Sequence, residues 1–338
     1  MTDHLQIMLA GSEDSFDCGE GDTLLRAGLR AGLGIAYECN VGACGSCKFD
    51  LLEGEVEDLF PDAPGLRPKE RERGKRLACQ CVPRGDCTIK IRTGAEYVPA
   101  VKPAKHRAHL FDRVALTHDI SLFSFATDSV ADFLPGQYAL ISVPSVGQVR
   151  AYSMANLANK EGIWQFGIRR VQGGLMSNAL FDDLQEQGEV EIDGPYGMAY
   201  LRTDIERPIV CIGGGSGLAP LLSIMRGAAS AMTFASLPKL LYGGRGPADI
   251  PDVKTLLSRE NVAMEFHPAV SMPELAEGGH WNGDVGFVHE YISKKLELPL
   301  SAYEYYLGGP PPMIEATVRF LVAEGKVPSA QIHFDRFF

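Results

Sequence analysis

Three cysteines fall within nine residues near the start of the 338-residue chain, in the segment YECNVGACGSCKFDLLEGEV. They have the spacing C-x4-C-x2-C, and 31 residues separate the third of them from a further cysteine in the segment LACQC. This pattern is typical of plant-type [2Fe–2S] sites, in which two irons and two bridging sulfides require four thiolate ligands. The candidate ligands are Cys39, Cys44, Cys47 and Cys79.

The loop between these cysteines is rich in glycine. Gly42 and Gly45 would allow the backbone to fold closely around a cluster and to point its N–H groups at the sulfur atoms. A structural zinc site is the alternative, but zinc usually takes two separated C-x2-C pairs, which this spacing lacks. The spacing alone does not choose between Cys79 and Cys81 as the fourth ligand.

Composition is typical of a soluble globular protein and excludes some partners. Hydrophobic residues make up 45% and charged residues 22% of the chain, and 338 residues suggest two or three domains. The net charge of −11 argues against nucleic acid as a partner and permits docking to a basic surface. The sequence has neither a signal-peptide pattern nor a run of 18 apolar residues. We therefore expect no membrane partner and a cytoplasmic location, where reducing conditions suit metal-binding cysteines.

The pattern of apolar residues divides the chain into four parts. Residues 1–97 contain every cysteine except Cys211 and carry 12 basic and 17 acidic residues, a balance of −5. The proline-containing segment 98–105 is typical of a linker. Residues 106–202 contain short alternating runs such as SLFSFAT and QYALISV, which predict an antiparallel barrel or sandwich. Residues 203–338 alternate between strand and helix patterns and predict a parallel, doubly wound sheet.

Two segments of the third part could bind a dinucleotide that carries a flat ring. The segment RAYSMAN contains Arg150, Tyr152 and Ser153. Arginine can bind a phosphate with two hydrogen bonds, tyrosine can stack on a ring, and serine can bond to a ring nitrogen. The segment GIRRVQGGLMSNAL then places two glycines before an apparent helix start at Ser177, which suits a pyrophosphate. The segment DGPYG closes this part.

A glycine turn also opens the fourth part. The segment IGGGSGLAP, from Ile212 to Pro220, follows a buried strand and precedes a helix, an arrangement that can bind a pyrophosphate. It does not fit G-x-G-x-x-G because Leu218 occupies the position of the last glycine, and a tight packing turn is the alternative. The segments LYGGR and YYLGGPPPM end two further predicted strands.

Taken in order, these segments resemble the reductase components of bacterial multicomponent oxygenases, within the ferredoxin–NADP reductase superfamily. The similarity covers nearly the whole chain and is greatest to toluene monooxygenase reductases, in the segments LLEGEVEDLFPDAPGL, RAYS and DGPYG and in the ending IHFDRFF. The resemblance implies a multidomain protein of α+β and α/β class. Its parts would be an N-terminal β-grasp [2Fe–2S] ferredoxin domain, an antiparallel β-barrel FAD domain and a C-terminal parallel-sheet, Rossmann-like NAD domain.

The resemblance also implies roles for individual residues. It makes Cys79 the fourth cluster ligand, which leaves the other four cysteines as small buried apolar residues. It places Ser153 near the flavin N5 and a C-terminal aromatic residue over the flavin. The expected FAD-binding residues are Arg150, Tyr152, Ser153, Ile168, Arg169, Gly174, Met176, Ser177, Phe337 and Phe338. The expected NAD-binding residues are Gly213, Gly214, Gly215, Gly217, Ala219, Pro220, Gly243, Arg245, Gly309, Pro310 and Met313.

The implied activity is that of an NADH oxidoreductase. Electrons would pass from NADH through FAD and the cluster to a Rieske-type ferredoxin, or to the diiron hydroxylase of an aromatic or alkene monooxygenase. The same relay could serve a ring-hydroxylating dioxygenase or a sugar-deoxygenation pathway, and a redox-sensing or zinc-binding module is the alternative of another class. We expect NADH rather than NADPH because the family mostly uses NADH, although Arg245 could accept a 2′-phosphate.

Two further features bear on this expectation. Gly308 stands where the family usually has a cysteine beside the nicotinamide, a departure that concerns the control of hydride transfer rather than the activity itself. An acidic stretch, Glu53, Glu55, Glu57 and Asp58, follows the cluster loop. Such a stretch favours a solvated face, and a docking surface for a redox partner is the alternative. The eight histidines are scattered, and we expect them to be structural or solvated.

Overall fold

The computed structural model describes residues 5–185, 187–231, 236–276, 281–297 and 299–337. The chain divides into two compact units. Unit 1 contains the chain up to Lys105 together with Asp193–Tyr196, and unit 2 contains His106–Ile192 and Gly197–Phe338. Within the described ranges, no helix has both the length and the apolar character needed to span a bilayer.

Unit 1 is built on a five-stranded mixed sheet with one helix packed against it. Its strands are β1 (Leu5–Leu9), β2 (Ser15–Cys18), β3 (Lys48–Glu53), β4 (Val56–Asp58), β5 (Lys75–Leu77), β6 (Cys81–Pro83) and β7 (Cys87–Ile91), and its helices are α1 (Leu24–Arg30) and α2 (Pro68–Glu72). The sheet order is β2-β1-β7-β3-β5, with β1 and β7 parallel, and β4 and β6 form a separate pair. This arrangement confirms the predicted β-grasp ferredoxin domain.

Local sequence explains these elements. In β1, Ile7 and Leu9 are buried whereas Gln6 and Met8 are exposed, which is the period of a half-buried strand. Helix α1 begins after Thr23, whose side chain accepts a hydrogen bond from the Arg26 backbone N–H and caps the helix.

Unit 2 begins with a six-stranded antiparallel sheet. Its elements are β8 (Ala104–Ala115), β9 (Ile120–Thr127), β10 (Tyr138–Ser142), β11 (Val149–Ser153), β12 (Ile163–Arg169), helix α3 (Leu175–Asn178) and β13 (Glu189–Tyr196). The order is β11-β10-β13-β8-β9-β12, and an antiparallel bridge between Met154 and Phe166 brings the two edge strands together. The predicted antiparallel barrel is confirmed. Strand β8 begins at Ala104, so the last two residues of the predicted linker are strand, continuous with the run that buries Ala108 and Leu110.

The rest of unit 2 is a parallel sheet flanked by helices. Its elements are β14 (Ile209–Gly214), α4 (Leu218–Ala231), β15 (Lys239–Gly244), α5 (Val253–Ser258), β16 (Glu265–Val270), β17 (Asp284–Val285), α6 (Ile292–Lys295), β18 (Glu304–Gly309), α7 (Pro311–Ala323) and β19 (Ile332–Arg336). The order is β17-β16-β15-β14-β18-β19, and every pair is parallel. The direction of winding reverses between β14 and β18, so this is where a ligand crevice is expected.

Helix α4 joins the parallel sheet to the barrel. The Ser223 hydroxyl donates to the carbonyl of Asn156 at 2.6 Å, and Arg226 Nη1 donates to the carbonyl of Ala155 at 2.5 Å. Position 167 of β12 has room only for glycine, because a Cβ atom there would lie 2.9 Å from the Cβ of Ala219. The helix that follows the glycine turn is therefore held against the barrel strand that carries Arg169.

Candidate cofactor sites

The loop before β3 points backbone donors at its own sulfur atoms. The N–H groups of Ala43 and Cys44 both donate to Cys39 Sγ at 3.3 Å, and that of Ser46 donates to Cys44 Sγ at 3.4 Å. Cys79 lies in a short 3-10 turn after β5, where Gln80 Nε2 donates to its Sγ at 3.5 Å. Donors aimed at sulfur stabilise thiolates and metal-bound sulfur.

The four predicted ligands form two adjacent pairs of sulfur atoms. A hydrogen bond with Cys39 lowers the pKa of the Cys44 thiol to about 5. A hydrogen bond with Cys47 likewise lowers the pKa of Cys79, although burial acts in the opposite direction. One member of each pair is therefore favoured as a thiolate, the form that binds iron. The donor set fits a [2Fe–2S] cluster, with three ligands from one loop and the fourth from the turn after β5.

The other cysteines have environments that keep them protonated. Burial raises the pKa of Cys81, on β6, and that of Cys18 to about 12. The thiol of Cys18 donates to the Asp22 carbonyl at 3.5 Å, and that of Cys87 donates to the Glu55 carbonyl at 3.4 Å. Cys211 is fully buried, which raises its pKa as well. These environments favour Cys79 over Cys81 as the fourth ligand.

Close backbone contact holds the cluster loop. Gly42 and Gly45 have φ angles of 82° and 78°, which only glycine adopts without strain. A Cβ atom on Gly45 would overlap the carbonyl of Gly65, and the Gly65 N–H donates to the Gly42 carbonyl at 2.9 Å. A second segment, residues 59–66, thus lies along the loop. The sequence gives no separate signal for this contact.

Asn40 supports the same assignment. Its side chain is 1% exposed, and its Oδ1 accepts a hydrogen bond from Arg26 Nε at 3.4 Å. Its Nδ2 is buried and has no hydrogen-bond acceptor among the described residues. Because buried amide donors are nearly always satisfied, this donor next to Cys39 fits a site that receives acceptor atoms, such as the sulfides of a cluster.

Strand β11 carries the first predicted flavin residues. The Arg150 guanidinium is exposed and donates at 3.0 Å to the Val149 carbonyl and to Gln148 Oε1, and it pairs with no carboxylate of the described ranges. Tyr152 is half-buried and packs against the barrel core, and burial raises its pKa to about 12, so its phenol stays neutral. Ser153 is buried beside Tyr138 of β10. An available cation next to a partly exposed ring fits a dinucleotide.

The segment after β12 turns at its glycines as expected. Gly174 precedes helix α3, and the Ser177 hydroxyl accepts the Val171 N–H at 3.1 Å, which fixes the turn. The side chains of Ile168 and Met176 point into the barrel core, at 0% and 3% exposure. Only the backbone atoms of these two residues could therefore contact a bound dinucleotide.

Arg169 lies at the nucleotide turn of the parallel sheet. Its Nε donates to Asp119 Oδ2 at 2.6 Å, and its Nη1 lies 3.5 Å from the position that a Cβ of Gly215 would take. The Tyr242 hydroxyl donates to the carbonyl of Gly215 at 2.8 Å. Arg169 was predicted to lie along the FAD, and the structure also brings it to the glycines predicted to bind NAD.

Asp119 belongs to a polar cluster that sequence analysis missed. His118 lies 3.8 Å from Asp119 Oδ2 and 3.8 Å from Asp249 Oδ1. Asp249 Oδ2 accepts the backbone N–H groups of Arg245 and Gly246 at 2.8 and 2.9 Å. Because these residues come from the β8–β9 turn and from the loop after β15, no local motif could have indicated the cluster.

The predicted NAD-binding glycines meet at the reversal point of the sheet. A Cβ atom on Gly217 would overlap the carbonyl of Gly308, and one on Gly308 would lie 2.7 Å from the carbonyl of Gly217. A Cβ on Gly214 would lie 2.9 Å from the Gly243 carbonyl and 3.0 Å from Met313 Sδ. The backbones of the two turns touch directly, so a side chain at position 308 would require one of the turns to move.

The remaining predicted residues surround this crevice. Ala219 and Pro220 form the buried first turn of α4, and Pro310 precedes α7. Arg245 is exposed at the end of β15, and its guanidinium pairs with no carboxylate in the described part of the chain. The Phe337 N–H donates to the Gly309 carbonyl at 3.0 Å, which brings the chain end to β18. Phe338 lies outside the described residues.

We predict that Cys79→Ser removes the cluster and that Cys81→Ser leaves it in place. Serine at position 79 removes one of four thiolates, whereas Cys81 is a protonated core residue. Iron content and visible circular dichroism of the purified variants measure this. Equal iron loss in both variants would contradict the ligand assignment.

We predict that Gly217→Ala raises the KM for NADH about tenfold or more, because the added methyl pushes the nucleotide turn away from Gly308. Bound FAD and iron should be unchanged. Gly19→Ala is the control, since nothing lies within 4 Å of its added Cβ. An unchanged KM for NADH in the Gly217 variant would show that this turn does not bind the nucleotide.

Comparison with family models agrees with these sites. Residues 7–84 match a model described as a 2Fe-2S iron-sulfur cluster binding domain. Residues 107–200 match an oxidoreductase FAD-binding domain, and residues 211–319 match an oxidoreductase NAD-binding domain. The chain is therefore an oxidoreductase whose cofactors are a [2Fe–2S] cluster and FAD and which binds a nicotinamide nucleotide.

The chain is similar to known proteins over nearly its full length. It is 44% identical over 325 residues to the ferredoxin–NAD(P)(+) reductase CarAd of Metapseudomonas resinovorans, across 95% of this chain and 96% of that protein. It is 32% identical over 338 residues to the xylene/toluene monooxygenase electron transfer component XylA of Pseudomonas putida, across 98% and 93%. The solved structure of the ferredoxin reductase in carbazole 1,9a-dioxygenase superposes with a TM-score of 0.92 at 40% identity, across 100% and 99%. The chain thus belongs to the family of ferredoxin–NAD(P)+ reductase components of oxygenase systems, which confirms the resemblance found in its sequence.

Proposed function

We propose that this chain takes electrons from NADH and delivers them singly to the electron acceptor of an oxygenase system. The observation that carries the proposal is the presence of a four-thiol site on the same chain as two dinucleotide sites. When bound, FAD accepts two electrons as a hydride, and the [2Fe–2S] cluster passes them on one at a time. The hydride transfer to the flavin requires no acid–base pair of side chains.

The side chains of the chain bind and orient these groups. We propose that Cys39, Cys44, Cys47 and Cys79 hold the cluster. Arg150 would neutralise the FAD pyrophosphate, and Tyr152 would pack its ring on the flavin. Ser153 would lie near the flavin N5, and the backbone of the segment from Ile168 to Ser177 would line the dinucleotide. Phe337 and Phe338 are the candidates for the flavin cover.

The nucleotide site would bind NADH between the two glycine turns. The residues assigned to it are those predicted from the sequence, Gly213, Gly214, Gly215, Gly217, Ala219, Pro220, Gly243, Arg245, Gly309, Pro310 and Met313. We infer a preference for NADH over NADPH because members of the family mostly use NADH. The exposed Arg245, which no described carboxylate neutralises, is the group that would accept a 2′-phosphate if that preference were reversed.

Domain limits, location and partner complete the proposal. We propose a ferredoxin domain at 1–97, a linker at 98–105, an FAD domain at 106–202 and an NAD domain at 203–338. Free cysteines, half of them assigned to iron, suit the cytoplasm.

The acceptor would be a Rieske-type ferredoxin or a diiron hydroxylase, as in toluene-monooxygenase-like systems. A ring-hydroxylating dioxygenase system is the second candidate, favoured by the 44% identity to CarAd and by the dioxygenase reductase structure.

The test compares two electron acceptors in the wild type and in Cys79→Ser. We expect both proteins to reduce ferricyanide with NADH at similar rates, since this small ion can take electrons from the flavin. Reduction of cytochrome c, a one-electron protein acceptor, should fall about tenfold or more in the variant because its route through the cluster is lost. Equal cytochrome c rates in the two proteins would contradict the order of the relay.

A further inference from the structure

A basic run lies next to the fourth cluster ligand in an otherwise acidic chain. The segment RPKERERGKR, residues 67–76, contains six basic and two acidic residues, whereas the whole chain has a net charge of −11. It forms α2 and leads through β5 to Cys79. Sequence analysis did not single out this run.

Three exposed cations of the run remain available to a partner, and Arg76, which also pairs with no carboxylate of the described residues, is only partly exposed. Lys48 and Glu70 pair at 2.8 Å, Arg71 and Asp62 at 3.0 Å, and Lys75 and Asp50 at 2.7 Å, so these charges are already compensated. Arg67, Lys69 and Arg73 are exposed, and none of them pairs with a carboxylate of the described residues. We call these three residues the basic rim. Glu72 is the one exposed carboxylate within the run.

Two contacts tie the basic rim to the cluster loop. Glu70 of α2 bonds to Lys48, whose Nζ lies 3.2 Å from the position that a Cβ of Gly45 would take. The next residue of α2 also contributes a contact, since Arg71 Nη2 donates to the Ala63 carbonyl at 3.1 Å. Ala63 in turn lies against the loop, with its Cβ 3.2 Å from where a Cβ of Gly42 would be.

The cluster loop is accessible along this edge. Cys39, Cys47 and Cys79 are buried, whereas Cys44 is partly exposed and the adjacent Ser46 is exposed. The rate of electron transfer falls steeply with distance. The partly exposed Cys44 therefore offers the shortest distance between the cluster and a docked partner. Residues 59–66, which lie along the cluster loop, include two exposed apolar residues: Leu59 is 53% and Phe60 is 43% exposed. An apolar patch beside a charged rim is typical of protein–protein interfaces.

The acidic stretch considered in the sequence is less well placed. Glu53 lies at the far end of β3 from Lys48, roughly 16 Å along the strand at the usual rise per residue. Glu57 forms an ion pair with Arg84, which compensates its charge. Glu53 is therefore remote from the cluster loop and Glu57 is already paired, whereas Asp58, next to Leu59, accepts the Phe60 backbone N–H at 3.0 Å.

We infer that the electron acceptor docks on the edge formed by the basic rim, Leu59 and Phe60, and that it presents an acidic surface there. The inference rests on the proposed function, which requires a protein acceptor at the cluster. Complementary charge raises the rate of encounter and orients the partner, and it does so most strongly at low ionic strength. The acceptor is thus identified by its chemistry as a redox protein with an acidic docking surface.

The experiment uses the charge-reversal variant R67E/K69E/R73E of the full holoprotein. The probes are soluble cytochrome b5, an acidic one-electron acceptor, and cytochrome c, a basic one. At low ionic strength, reduction of cytochrome b5 by NADH should be roughly tenfold or more slower in the variant, and reduction of cytochrome c should be unchanged or faster. Added salt should remove most of the difference between wild type and variant.

The control variant E53K/E55K changes the net charge by +4, against −6 for R67E/K69E/R73E, at the far end of β3 and just beyond it. At an ionic strength of about 0.1 M it should alter the cytochrome b5 rate less than about twofold, because the Debye length of about 10 Å is then shorter than the roughly 16 Å that separate Glu53 from Lys48 along β3. Equal cytochrome b5 rates in wild type and R67E/K69E/R73E, or a larger effect in the control, would overturn the inference. Ferricyanide reduction and iron content should stay at wild-type values in both variants. Failure of the wild type itself to reduce ferricyanide with NADH would contradict the proposed function instead.

Discussion

Direct contact between two glycine turns is the constraint on which the dinucleotide site depends. The turns after β14 and β18 approach until the carbonyl of Gly217 lies 2.7 Å from the place of a Cβ on Gly308. Only backbone without side chains can come so close, and the carboxyl ends of both strands are thereby left open for a ligand. Met313, Tyr242 and Arg169 line the same turns, so one steric condition organises the crevice.

In unit 1, close contact between two glycine-containing segments likewise shapes a ligand site, but for a different ligand. Gly45 and Gly65 touch as closely as Gly217 and Gly308 do, and this contact holds a loop whose N–H groups point at sulfur. In unit 2 the ligands are phosphates and a flat ring, which need an uncompensated cation and an exposed aromatic face. In unit 1 the ligand is iron, which needs thiolates, and hydrogen bonds between neighbouring thiols favour that form in Cys44 and Cys79 while they raise the pKa of Cys39 and Cys47. Each half of a redox relay is thus prepared by backbone geometry before its cofactor binds.

Local patterns in the sequence, together with the family resemblance, were sufficient for the architecture, and the residues predicted for each site remain predictions. Cysteine spacing, strand alternation and glycine turns each report on a few neighbouring residues, and they predicted the ferredoxin domain, the barrel and the parallel sheet. Strand β19 was not predicted, because the ending IHFDRFF was interpreted through its family resemblance and its terminal aromatic residues rather than as a strand. The inward direction of Ile168 and Met176 depends on the barrel register, which a short motif does not contain.

Contacts between distant residues could not be predicted in this way. Asp119 pairs with Arg169 across 50 positions, and Arg71 reaches the carbonyl of Ala63 only once α2 has folded beside the cluster loop. The spacing left Cys79 and Cys81 open as the fourth ligand, the family resemblance pointed to Cys79, and the environments of the two thiols in the structure favour the same residue. The sequence therefore indicated which chemistry is present, and the structure shows which groups act together.

An anaerobic titration of the purified protein with NADH, followed by visible absorption, tests the central claim most directly. The account predicts that the flavin band and the broader iron–sulfur absorption bleach together and that the protein takes up about three electrons per chain, two on FAD and one on the cluster. Uptake of only about two electrons, with flavin bleaching and no iron–sulfur signal, would show that the four thiols hold something other than an electron carrier.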